Sequence, residues 1–189
     1  MEHMLASKIT AWCKRQGEMS ESQVVAVTYG IELFFDTVLK LIGLILLGIV
    51  FGRLPEVLLS IACFSSLRSF AGGVHMETSL GCFLSMVFVC FASCLGAEVI
   101  TGVPAVLQLV ISLLNIVLNV LFAPFFTQNN PIEDKKILKR KRAGAVALSL
   151  ILMAAAWVIP DWRLKLLILI PVTIESLSIL PCWHRGINR

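Results

Sequence analysis

The chain has 189 residues, 58% of them hydrophobic and 15% charged, with a mean hydropathy of +0.89. Soluble domains carry about a quarter charged residues and just under half apolar ones, so this composition leaves too little polar surface for a water-facing globule. It disfavours a disordered chain, a disulfide-stapled secreted scaffold and a soluble single-core enzyme, and it predicts an integral membrane protein. The net charge of +4 does not point to nucleic acid. Six of the sixteen basic residues form one run between apolar stretches (Lys135, Lys136, Lys139, Arg140, Lys141, Arg142), not a face interleaved with aromatics.

From the N-terminus, residues 1–19 read as a short amphipathic helix at the membrane interface, with Leu5, Ile9 and Trp12 at helical spacing and no long apolar core of a signal peptide. Ser20-Glu21-Ser22-Gln23 is a capping-box pattern opening a longer helix, which becomes apolar from Thr37 to Phe51. Glu32, Asp36 and Lys40 are four apart and predict an ion-paired stripe. Leu54–Leu67 is a short apolar segment that either crosses or re-enters. Four stronger segments follow, at Ser79–Ile100, Pro104–Phe126, Ala143–Pro160 and Leu164–Pro181. The expected fold is therefore an all-α polytopic membrane protein with about six membrane segments, in one domain over residues 1–189.

Six crossings place both termini on the same side. With the ends inside, twelve basic residues fall on the cytoplasmic side, against Arg53, Arg163 and Lys165 outside, as the positive-inside rule requires. Residues 68–82 and 127–142 become cytoplasmic loops. The second of these explains its basic run by topology and anionic-lipid contact, or by attraction to an acidic partner.

The stretch Arg68-Ser69-Phe70-Ala71-Gly72-Gly73-Val74-His75-Met76-Glu77-Thr78-Ser79-Leu80-Gly81-Cys82 holds the chemistry. A histidine and a cysteine are the pair needed for thiolate catalysis: the imidazole takes the thiol proton and the thiolate attacks a carbonyl. Seven residues of continuous helix would separate them by about 10 Å, too far for proton transfer. Gly72-Gly73 permits a turn, however, and Thr78 or Ser79 is a candidate N-cap that puts Cys82 in the first turn of the next helix. There the helix dipole favours a thiolate, and His75 can fold back onto it. Taken alone, the pair reads more readily as a buried thiol beside a headgroup histidine. The six cysteines show no C-x-x-C pair, and grouping His75 and Cys82 with Cys182 and His184 gives no usual metal-ligand spacing, so no metal or cofactor is expected.

Arg68, Gly73, His75 and Cys82, followed by Ala123-Pro124, Pro131-Ile132, the basic run, Ile174-Glu175 and Leu180-Pro181, resemble the accessory gene regulator protein B (AgrB) family along nearly the whole chain. That resemblance implies a membrane cysteine endopeptidase that matures quorum-sensing peptides in the bacterial plasma membrane. By similarity, Cys82 is the nucleophile and His75 the base. The substrate is a small AgrD-like propeptide, cleaved ahead of its acidic C-terminal segment through an acyl-thioester and released as a thiolactone or lactone. A homodimer is also implied by the family. Arg68, Gly73 and Glu175 are candidates for substrate binding or oxyanion stabilisation. Arg68 serves equally as a positive-inside anchor and Glu175 as a structural hydrogen-bonding group. Gln108, Ser112, Asn115 and Asn119 give the fourth span one polar face, for which interhelical hydrogen bonding is expected. The rival reading, a peptide-exporting transporter, would use that face together with Glu175.

Overall fold

The computed structural model describes residues 20–73, 78–125 and 135–181, which form six α-helices and no strand. These are α1 (Glu21–Val50), α2 (Leu54–Ala71), α3 (Ser79–Val99), α4 (Ala105–Phe122), α5 (Lys135–Val158) and α6 (Trp162–Ser178). The interfacial helix expected over residues 1–19 lies outside the described residues. The chain divides into two compact units, Met1–Leu47 and Gly48–Arg189.

In the first unit the capping box forms as the sequence predicts. The Ser20 N–H donates to Gln23 Oε1 (2.9 Å), and the Gln23 N–H donates to Ser20 Oγ (3.3 Å). These satisfy backbone donors that a helix start otherwise leaves open. Further along α1, Lys40 pairs with Asp36 one turn away, which neutralises both charges within the apolar stretch.

The second unit is a bundle built around α6, which packs on α2, α3, α4 and α5. Helix α6 buries Leu166, Leu167, Ile168 and Leu169 in succession, then Pro171, Val172, Glu175 and Ser176. Leu164 and Leu177 near its ends stay exposed, but the buried middle makes it the central element of this unit. The other helices instead turn large apolar residues outward, among them Leu84, Phe88 and Phe91 on α3 and Val106, Leu109 and Leu113 on α4. Five helices (α1 through α5) are long and apolar enough to cross a membrane; α6, at 17 residues, is the shortest of the six and falls on the last expected segment. Leu54–Ala71 is continuous α-helix of 18 residues, about 27 Å long, and it lacks the break a re-entrant segment needs.

Helix α4 carries its amphipathicity inverted. Gln108, Ser112, Asn115 and Asn119 are buried while its apolar residues face outward. Gln108 Nε2 donates to the Ala156 carbonyl (3.0 Å), and Trp157 Nε1 donates to Ser112 Oγ (3.3 Å). Asn115 Nδ2 donates to Thr173 Oγ1 (3.0 Å) and Asn119 Nδ2 to Ser176 Oγ (2.9 Å). This is the interhelical bonding expected of that face. In a membrane, lipid tails are as apolar as leucine, so such bonds and close packing hold helices together.

Tertiary contacts fix which helix ends meet. Arg53, before α2, pairs with Glu56 (3.4 Å) and with Glu98 near the end of α3. At the opposite end, Arg68 of α2 meets Glu175 of α6, and Gly72 meets Phe125 after α4. The α-carbon of Gly144 on α5 lies against the Phe70 ring. The helices of this unit therefore alternate in direction, which collects the 68–73 segment, the start of α3, the 123–125 segment, the start of α5 and the end of α6 at one end. The basic run belongs to α5: Lys135–Arg142 forms its first two turns, where the sequence suggested a loop over 127–142. Lysine, arginine and leucine are good helix formers, so the helix extends past the apolar span, while residues 127–134 lie outside the described residues.

Candidate functional site

Helix α2 ends at Ala71 because Gly72 turns the chain with φ +79° and ψ −140°, and its N–H closes the helix on the Arg68 carbonyl (2.9 Å). The backbone then runs against the segment following α4. The Phe125 N–H donates to the Ala71 carbonyl (2.8 Å), and an isolated parallel bridge joins Gly72 to Phe125. A Cβ at position 72 would overlap the Phe125 carbonyl oxygen and stand 2.9 Å from its carbonyl carbon. Only glycine allows both this conformation and this approach.

Gly73, with φ +130°, is buried against α6. A Cβ there would lie 2.8 Å from Ser178 Oγ, 3.0 Å from Glu175 Oε1 and 3.7 Å from Arg68 Nη1. The three residues singled out for substrate or oxyanion contact, Arg68, Gly73 and Glu175, are thus neighbours in space although 107 residues separate the first from the last. Ser178 completes the cluster. Sequence reasoning missed it, although its position one turn beyond Glu175 was a usable signal.

Glu175 is fully buried, while the Arg68 side chain is 20% exposed. Glu175 Oε2 accepts from Arg68 Nη1 (3.4 Å) and from the Ser178 hydroxyl (3.3 Å). Oε1 has no hydrogen-bond partner among the described residues. The guanidinium carbon also lies over the Phe64 ring, 5.5 Å from its centroid, a cation–π contact that holds the group from a second direction.

Cys82 occupies the fourth position of α3, in its first turn. The N-cap is Thr78, whose side chain accepts from the Gly81 N–H (3.1 Å), and the Cys82 N–H makes the first helical bond to the Thr78 carbonyl (3.1 Å). The thiol is free and partly buried. Ser85 directs its hydroxyl to the Cys82 carbonyl (2.7 Å). Cys82 and the Arg68 cluster share one end of the bundle through the short 72–78 connection. His75 lies outside the described residues. Among those residues no group of three or more His, Cys, Asp or Glu side chains is arranged to hold a metal ion.

Fold and site together define a multi-pass α-helical membrane protein with a buried polar cluster and a first-turn cysteine at one end of its bundle. A family model described as Accessory gene regulator B matches residues 6–179. The chain belongs to that family. A putative AgrB-like protein of Clostridium acetobutylicum is 27% identical over 186 residues, covering 98% of this chain and 88% of the relative. One of Listeria monocytogenes serotype 4a is 31% identical over 89% of this chain and 82% of its own length. The accessory gene regulator protein B of Staphylococcus carnosus is 25% identical over 84% of each chain. No solved structure matches the chain.

Proposed function

We propose that the protein is a membrane cysteine endopeptidase that matures an AgrD-like propeptide into a cyclic quorum-sensing peptide. The observation that carries this reading is the placement of Cys82: a reduced, partly buried thiol in the first turn of α3, at the bundle end where Arg68, Gly73 and Glu175 converge. His75 takes the Cys82 proton, and the thiolate attacks the carbonyl carbon ahead of the propeptide's acidic tail. Collapse of the adduct breaks the C–N bond, His75 returns its proton to the departing amine, and the peptide is left as a thioester on Cys82. A thiol or hydroxyl within the propeptide then attacks that thioester, closing the ring and restoring the Cys82 thiol. Exchange of one thioester for another is nearly isoenergetic, so ring closure succeeds where water is kept out and the internal nucleophile is held close. Arg68, Gly73 and Glu175 serve substrate binding or the oxyanion.

The same reading puts the protein in the bacterial plasma membrane with both termini and the 68–82 segment inside, in contact with anionic lipids through the Lys135–Arg142 turns, and working as a homodimer. A peptide exporter gains no observation from the fold, because the α4 residues that would line its path are bonded to α5 and α6. The test is co-expression with the propeptide encoded beside the chain. Cleavage should cease with Cys82→Ala and with His75→Ala, and mass spectrometry should find a peptide adduct on Cys82. Turnover by Cys82→Ala would refute the peptidase.

A further inference from the structure

We propose that Glu175 is a positioning residue that makes Arg68 a charge-neutral hydrogen-bond donor to a carbonyl oxygen of the peptide substrate, not a receptor for the carboxylates of its acidic tail. The proposal rests on the peptidase reading and deepens it at one side chain.

Stability does not account for the pair. Burying a carboxylate costs several kcal/mol, and a buried ion pair is often no better than apolar residues of similar volume. Here the return is small: one contact at 3.4 Å, one hydroxyl at 3.3 Å, and an Oε1 with no partner among the described residues. What the arrangement does achieve is orientation. The Arg68 guanidinium meets Glu175 Oε2 through Nη1 and lies over the Phe64 ring, and it is the partly exposed member of the ion pair. Gly73 supplies the space, since any side chain there would strike Ser178 and Glu175. A donor fixed before the substrate arrives needs no reorganisation as charge develops on its acceptor.

Charge then selects the acceptor. An incoming carboxylate would meet the guanidinium at contact distance and Glu175 just behind it, which cancels roughly half of the attraction. A neutral peptide carbonyl loses nothing by this in the ground state and gains as its oxygen becomes negative. The acidic tail has a better partner in the exposed basic turns of α5 (Lys135, Lys136, Lys139 and Arg140), gathered at the same end of the bundle.

The experiment uses the full chain in lipid nanodiscs with the propeptide encoded beside it, in native form and with its tail carboxylates changed to amides. Arg68→Gln and Glu175→Gln should each lower kcat by about a hundredfold while KM stays within about threefold. The double variant should be no worse than Arg68→Gln alone. Tail neutralisation should raise KM equally in the wild type and in Arg68→Gln, and should have no effect in a Lys136→Gln/Lys139→Gln/Arg140→Gln variant. If Arg68→Gln raises KM and abolishes the effect of tail neutralisation, Arg68 is the tail receptor and the proposal falls. It also falls if Glu175→Gln turns over normally. Should the Arg68 variants fail to fold, the surface variant still decides: tail dependence that persists there overturns the proposal. Cleavage by Cys82→Ser would refute the peptidase reading itself, whereas the other adverse results leave that reading standing.

Discussion

Gly72→Ala tests how the Gly73 end of the bundle is held together. The substitution adds one methyl group, yet its Cβ would overlap the Phe125 carbonyl oxygen and lie 2.9 Å from the carbonyl carbon and 3.3 Å from the nitrogen. All three are backbone atoms, so no side-chain rotation relieves the contact. The residue would also have to hold φ +79° and ψ −140°, which an L-residue adopts at a cost of about 1–3 kcal/mol. Moving the 123–125 segment away instead breaks the 2.8 Å bond from the Phe125 N–H to the Ala71 carbonyl, worth about 1 kcal/mol. Together these give about 2–4 kcal/mol, which for a chain of this size lowers Tm by roughly 5–15 °C. Thermal unfolding in detergent reads the global effect, and hydrogen exchange at the Phe125 amide reads the local one. Gly30→Ala is the control: nothing lies within 4 Å of a Cβ there, and alanine is the better helix former, so its Tm should hold or rise. If Gly72→Ala unfolds like this control and the Phe125 amide keeps its protection, the backbone bridge does not exist as described.

Three further outcomes follow from the same contacts. Arg68→Gln leaves the Glu175 carboxylate buried without its cation, an effect worth up to about 3–5 kcal/mol, reduced here because Arg68 is partly exposed; adding Glu175→Gln should restore part of the lost Tm, and a double variant less stable than the single would contradict the pairing. Asn119→Ala removes the bond to Ser176 and should cost about 0.6–1.7 kcal/mol in detergent unfolding, whereas an unchanged midpoint would mean that α4 is held by apolar packing alone. A cysteine-specific, membrane-impermeant label on single-cysteine variants should modify Gly102→Cys, and not Ser69→Cys, in intact cells; the reverse pattern would invert the topology.

Most of the fold was legible because membrane helices announce themselves by length and apolarity, and because the cap patterns at Ser20 and Thr78 are local. One feature was not. A basic run between apolar segments reads as a cytoplasmic loop, but lysine and arginine favour helix, so α5 begins at Lys135. The last segment is a helix as expected, and only tertiary contacts show that it is the helix the others pack around. At the site, Arg68, Gly73 and Glu175 could be singled out one by one. Their convergence could not, since no pattern along the chain links positions 107 apart. The meeting of Gly72 and Phe125 is hidden for the same reason, since the sequence marks Gly72 only as a place to turn.

The bundle buries two kinds of polar group, and they differ in what burial costs. Along α4, each amide nitrogen of Gln108, Asn115 and Asn119 donates to a partner on another helix. The oxygens left over, Asn115 Oδ1 and Asn119 Oδ1, belong to neutral groups, for which lost hydration costs a few kcal/mol at most. Such a seam specifies which helices pair and in what register. Glu175 differs in kind. A carboxylate buried with one long contact to a cation, and with Oε1 unpartnered among the described residues, carries a desolvation cost that neutral amides do not. On the proposal made above, the carboxylate at position 175 is there to hold Arg68. The two clusters should therefore separate under isosteric substitution: Asn119→Ala should move stability and leave peptide maturation intact, and Glu175→Gln should slow maturation at nearly unchanged stability. If both variants alter only stability, the distinction between scaffold and site drawn from their hydrogen bonds is wrong.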